Sequence, residues 1–216
     1  QTMRLSLSLV LLSLLFFSCS KDYDVIIKNG TVYDGSGNQP LQTDIGIKGD
    51  VIDTLGDLSE FSSKKTIDAQ GLAVSPGFIN MLSWAPNSLI TDGKGESDIR
   101  QGVTLEVFGE GTSMGPLNEA LIKEEEEYMD ERIEWTTLGG YFDFMEQKGI
   151  SPNIASFVGA TTLRVNAIGY DNRAPTPKEL ARMKSLTKAA MEEGAMGIGS
   201  SLIYAPAFYA KTEELI

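Results

Sequence analysis

The chain has 216 residues, 42% hydrophobic and 22% charged, a globular composition long enough for one large or two small domains. A formal net charge of −12 argues against nucleic acid or an anionic membrane surface as a partner. With no histidine and one cysteine, Cys19, the residues exclude a histidine general base, a Ser-His pair and an all-protein Cys/His zinc site.

Residues 1–22 read as a targeting segment and tether. Arg4 precedes an apolar, serine-dotted stretch from Leu5 to Phe17, the length of a signal-peptide core and too short to span a bilayer. Ser18 directly before Cys19 resembles a bacterial lipobox, with Phe16 where leucine is usual. The expectation is an exported protein, lipidated at Cys19 and anchored to a membrane of the bacterial cell envelope, or periplasmic. A plain secretory signal is the alternative.

Residues 23–72 read as a small antiparallel β unit. Asp24–Lys28 is a predicted strand, Asn29-Gly30 a hairpin turn, and Thr31–Tyr33 the returning strand. Asp44–Lys48 and Val51–Leu55 form a second predicted hairpin around Gly49-Asp50, and Lys65–Ala69 closes the set. From residue 73 onward strands and helices alternate. Val74–Leu82 is predicted as a strand buried on both faces, followed by a short helix near Asp98–Gly102 and a strand over Val103–Phe108. An acidic helix over Leu117–Arg132, a helix over Leu138–Gln147 and a strand over Asn153–Val158 come next. Thr176, Pro177 and Glu179 form a capping box that starts a helix over 177–193, with Leu180, Met183, Thr187, Ala190 and Met191 on one face. Ala195–Ser200 is the last predicted strand. Thr212–Ile216 reads as a capped helix start, so the sequence is expected to be a piece of a longer protein.

This order predicts an α/β fold: a small antiparallel β-sandwich portion, then part of a (β/α)₈ TIM-like barrel over 73–216, with an open doubly wound sheet as the alternative. Chemistry is expected at the C-terminal strand ends. Glu110 ends the second barrel-type strand, a metal-ligand position or a solvated carboxylate. Glu106 lies mid-strand, where a charge is costly unless paired. Gly111-Thr112-Ser113-Met114-Gly115 matches G-x-S-x-G, which would make Ser113 a nucleophile, but no histidine follows it. Trp84 and Tyr204 are candidate pocket walls. Glu124–Glu127 reads as a solvated helix face rather than a cation site.

The segments Val25–Gly37 and Ile67–Gly71 running into Ser75–Ile79 resemble the opening of the amidohydrolase superfamily. Gln101–Thr104, Thr161–Arg164 and Gly194–Pro206 narrow the resemblance to the D-aminoacylase (N-acyl-D-amino-acid deacylase) branch. The resemblance implies a metal-dependent barrel that deacylates N-acyl-D-amino acids or related amides through zinc-activated water. It also implies substrate contacts from Tyr204 and Arg164. The family's first strand ends Asp-x-His-x-His, whereas this chain has Asn80-Met81-Leu82-Ser83-Trp84, so two ligands are lost. The second-strand cysteine of the family falls nearest to Glu110. At most one zinc ion, with Glu110 as a ligand, is therefore expected. The alternative is an inactive relative that binds such ligands, and a serine hydrolase using Ser113 is the weaker one. The 216 residues by themselves are expected to be inactive.

Overall fold

The structure is a computed structural model that describes residues 22–129 and 131–216. Residues 1–21, on which the expected targeting segment and Cys19 fall, lie outside the described residues. The chain divides into two compact units, the first ending at Pro76 and the second running from Gly77 to Ile216.

The first unit is one mixed sheet of five strands: β1 (Tyr23–Val32), β2 (Leu41–Lys48), β3 (Val51–Gly56), β4 (Ser63–Asp68) and β5 (Ala73–Val74). β1 pairs antiparallel with β2, and β2 with β3, but β4 and β5 both run parallel to β1. The expected all-antiparallel arrangement is thus corrected. So is the expected turn at Asn29-Gly30. β1 continues through it, and the pairing to β2 slips there as a bulge, with Asn29 at φ 63°. The side chains of Asp44 and Asp68 explain why no turn forms: Asp44 accepts the Asn29 backbone N–H at 3.0 Å and Asp68 accepts the Asn29 side-chain amide at 2.9 Å. Tyr23, Ile26 and Leu58 make this unit's small core.

The second unit alternates strands and helices. Its strands are β6 (Phe78–Asn80), β7 (Val103–Phe108), β8 (Asn153–Ser156), β9 (Val158–Gly159) and β10 (Ile198–Gly199). β6, β7 and β8 lie parallel in that order, and β9 pairs parallel with β10. The Phe157 N–H donates to the Phe108 carbonyl and the Val158 N–H to the Gly197 carbonyl, so the chain passes from β7 on one side to β10 on the other. The predicted Val74–Leu82 strand is not one element. Pro76 cannot donate to a ladder, and the run divides into β5 in the first sheet and β6 in the second. β6 is the edge of its sheet and Ile79 is 54% exposed, against the expected burial on both faces.

The helices are α1 (Pro86–Thr91), α2 (Glu96–Ile99), α3 (Glu119–Met129), α4 (Leu138–Lys148), α5 (Ala160–Ile168), α6 (Pro177–Glu192) and α7 (Thr212–Leu215). The α6 start forms as the sequence predicts: Thr176 Oγ1 accepts the Glu179 N–H, and Glu179 accepts the Thr176 N–H at 2.7 Å. Of its predicted apolar face, Met183 and Ala190 are buried while Met191 is exposed. Trp135, Leu138, Tyr141 and Met145 pack with Leu89 and Phe108 into the main core, between α4 and the strands. Among the described residues no helix is long and apolar enough to cross a membrane.

Candidate active site

The C-terminal ends of β6 and β7 open onto a cavity of about 370 Å³ lined by Ser83, Trp84, Glu110, Ser113, Glu125 and Tyr141, among others. Its shape follows from backbone requirements at the strand ends. Gly109 has φ 95°, and a Cβ there would overlap the Phe157 carbonyl, so only glycine lets β7 end against the neighbouring strand. Glu110 then leaves the sheet half-buried, at the cavity wall.

Three carboxylates, Glu110, Glu124 and Glu125, carry the charge of the lining. Glu124 and Glu125 reach the cavity from α3, and the Tyr170 hydroxyl donates to Glu124 at 2.6 and 2.8 Å. Partial burial, with the Glu124 charge beside it, pushes the Glu125 carboxyl above the ordinary range. Burial and the same two carboxylates raise the Tyr170 phenol to about 12. Zinc accepts a carboxylate oxygen as a ligand, so Glu110 fits one coordination position. Leu82 and Trp84 contribute no donor atom, and the described residues hold no cluster of three or more His, Cys, Asp or Glu placed to bind a metal.

Ser113 lies in the same cavity wall but is engaged elsewhere. Its hydroxyl donates to the Gly115 carbonyl at 2.6 Å and accepts the Gly159 N–H at 2.9 Å, while its own N–H bonds to Thr162 Oγ1. A proton held by a carbonyl, with no base beside it, leaves no activated nucleophile. Ser113 joins two strand-end loops.

Arg164 and Tyr204 are not among the residues that line this cavity. Arg164 is 1% exposed in α5, and its guanidinium binds the Glu214 carboxylate, 2.6 Å to Oε1, together with the carbonyls of Asp171 and Arg173. It borders a second cavity of about 330 Å³ against α6. Tyr204 is 64% exposed in the loop after β10.

Glu106 and Ser83 form a pair that the spacing of motifs does not reveal. Glu106 is fully buried in β7, and Oε2 accepts the Ser83 hydroxyl at 2.5 Å, while Oε1 has no partner. Burial drives its carboxyl above the ordinary range, the nearby Asp98 charge adds to this, and the Ser83 bond opposes it. The Tyr141 hydroxyl is likewise buried without a partner, and burial, helped by the Glu106 charge, raises its pKa well above the usual phenol range.

No family model matches the chain. It is 36% identical over 207 residues to a D-aminoacylase of Alcaligenes xylosoxydans xylosoxydans, covering 92% of this chain and 42% of that protein. A solved D-aminoacylase, studied for one-metal activation and second-metal attenuation of its binuclear centre, superposes with a TM-score of 0.80 at 34% identity, covering 89% of this chain and 41% of its own. The N-acyl-D-glutamate deacylase of Bordetella bronchiseptica, solved with zinc and a phosphonate mimic of the tetrahedral intermediate, superposes at 0.78 with 27% identity over the same shares. The chain therefore spans about two fifths of the length of these relatives.

Proposed function

Because the chain belongs, over the residues it aligns, to the D-aminoacylase branch of the amidohydrolase superfamily, we propose that the whole protein hydrolyses the amide bond of N-acyl-D-amino acids or related amides. Water adds to the acyl carbon and the C–N bond breaks, releasing a carboxylate and a free amine. The observation that carries this reading is Glu110, a carboxylate at the C-terminal end of β7 in the wall of a cavity, where an α/β enzyme keeps its chemistry. We assign the second unit to the first part of a (β/α)₈ barrel. Its parallel strands and intervening helices support this, as does its likeness to the solved deacylases.

Glu110 would hold a zinc ion, and when bound such an ion polarises the amide carbonyl and lowers the pKa of water. With donor-free side chains at Leu82 and Trp84, the residues support one ion rather than two. The aromatic Trp84 would wall the cavity, exclude water and contact the acyl group, and the exposed Tyr204 is a candidate substrate contact, whereas the buried Arg164, committed to Glu214 and two carbonyls, would serve the fold instead. In the leader, Arg4, the apolar run and Cys19 support export and lipid anchoring at that cysteine, which radiolabelled fatty acid incorporation would test.

The functional test is an assay of the whole protein on a panel of N-acetyl-D- and N-acetyl-L-amino acids. Release of the free D-amino acid, with little from the L-series, is the expected result. Tight binding of the D-substrates without turnover would favour the second reading, a ligand-binding relative.

A further inference from the structure

Glu106 carries a carboxyl group into a fully buried place in β7. A Cβ on Gly95 would lie 3.4 Å from Glu106 Oε1, from Leu89 of α1 and from Pro152, so these residues converge on one spot, and the Glu106 carboxyl is near enough to Asp98 of α2 and Tyr141 of α4 for charge to act between them. Asn80 and Ile154 flank it on the neighbouring strands. Among the described residues no ion pair involves it. Burial, an oxygen with no partner and a nearby aspartate all disfavour the ionised carboxylate relative to the neutral acid.

Among the described residues, the one hydrogen bond its carboxyl makes falls on the turn that connects β6 to α1. Ser83 donates its hydroxyl to Glu106 Oε2 and its N–H to the Val107 carbonyl at 2.9 Å, and its oxygen accepts the Ala85 N–H at 3.2 Å. The hydroxyl proton therefore has one destination, Glu106. The flanking side chains do little to hold the turn, since Leu82 is 52% and Trp84 65% exposed. Ser83 thus clamps this turn to β7 twice, by its N–H to Val107 and by its side chain to Glu106. Both Ser83 and Trp84 line the cavity that contains Glu110.

We propose that Glu106 is a positioning residue that acts as a neutral carboxylic acid, holding the Leu82–Ala85 turn against β7 through Ser83 and so fixing the cavity wall beside Glu110. Ionisation of Glu106 favours lifting of the turn, because the turn's Ser83 and Trp84 line a cavity and Leu82 and Trp84 are exposed, so water reaches the charge when the turn moves.

The link to catalysis rests on the proposed role of Glu110, but the anchor is tested without metal, substrate or activity. Hydrogen exchange of the peptide spanning residues 79–88 is followed by mass spectrometry in the whole protein, comparing variants at equal pH. Ser83→Ala is expected to speed exchange about 3- to 10-fold, the equivalent of one buried hydrogen bond. Glu106→Gln, neutral and of the same shape, is expected to match the parent protein at mildly acidic pH. At alkaline pH the parent should exchange faster than Glu106→Gln. Unchanged exchange in Ser83→Ala would overturn the anchor. Loosening in Glu106→Gln equal to that of Ser83→Ala at every pH would overturn the neutral acid. A deacylase whose turn fails these tests would keep its proposed function and lose this inference.

Discussion

Gly199 of β10 lies so close to Gly109, at the end of β7, that a Cβ on Gly199 would overlap the Gly109 carbonyl oxygen. Glu110 follows immediately, so this close approach sets where the candidate ligand leaves the sheet. Gly199→Ala is expected to force the backbones apart and destabilise the protein by about 1–3 kcal/mol. Gly56→Ala is the control, because nothing lies within 4 Å of a Cβ there, and it should change stability by about 0.5 kcal/mol or less. Urea midpoints of the two variants check this.

Arg164 and Glu214 form a buried ion pair in the second unit, with side chains 1% and 3% exposed. Removing one partner leaves an uncompensated charge, so Glu214→Ala should cost about 3–5 kcal/mol. Arg164→Met combined with Glu214→Leu should recover most of that loss, since two apolar side chains leave no charge behind. Arg164→Lys should not substitute for arginine, because one ammonium cannot reach Glu214 and the carbonyls of Asp171 and Arg173 together. Denaturant unfolding of the three variants separates these outcomes.

At the start of α6, Thr176→Ala removes the oxygen that caps the Glu179 N–H and should cost about 1 kcal/mol. Glu179 adds a pH dependence. The Arg173 guanidinium, then the Thr176 backbone and hydroxyl, hold its carboxyl far below the ordinary range. The unfolded chain therefore takes up this proton first as the pH falls. The stabilisation is complete at neutral pH and is lost progressively once the pH drops below the unfolded value of about 4.3. Glu179→Gln should flatten that acid limb, which thermal melts across the acidic range would show.

What the sequence discloses and what it hides divide along the distance between partners. The α6 cap is legible because Thr176 and Glu179 sit within one turn, and β7 emerges over its predicted span, Val103–Phe108. The α5 helix gives no stripe to read, since Thr162, Leu163, Arg164, Val165, Asn166 and Ile168 are all buried and cover the whole circumference. Asn29-Gly30 carries the local signature of a turn, but the carboxylates of Asp44 and Asp68, far along the chain, hold it within a bulged strand. At the site, Glu110 is legible as a strand-end carboxylate. Glu106 is legible as a charge in need of a partner, but Ser83, 23 residues earlier, is not. Nor is the engagement of Ser113 by Gly115 and Gly159, which leaves the G-x-S-x-G spacing without its chemistry.

Whether a carboxylate at Glu110 serves a single metal ion in an amide hydrolase is read from metal content, by elemental analysis of the whole protein and of Glu110→Ala, alongside hydrolysis of an N-acetyl-D-amino acid before and after chelation. The expected result is about one zinc per chain, activity lost to the chelator and restored by zinc, and both metal and activity reduced in Glu110→Ala. A metal-free protein with full chelator-resistant activity, or a Glu110→Ala variant that keeps its zinc and its turnover, would contradict it.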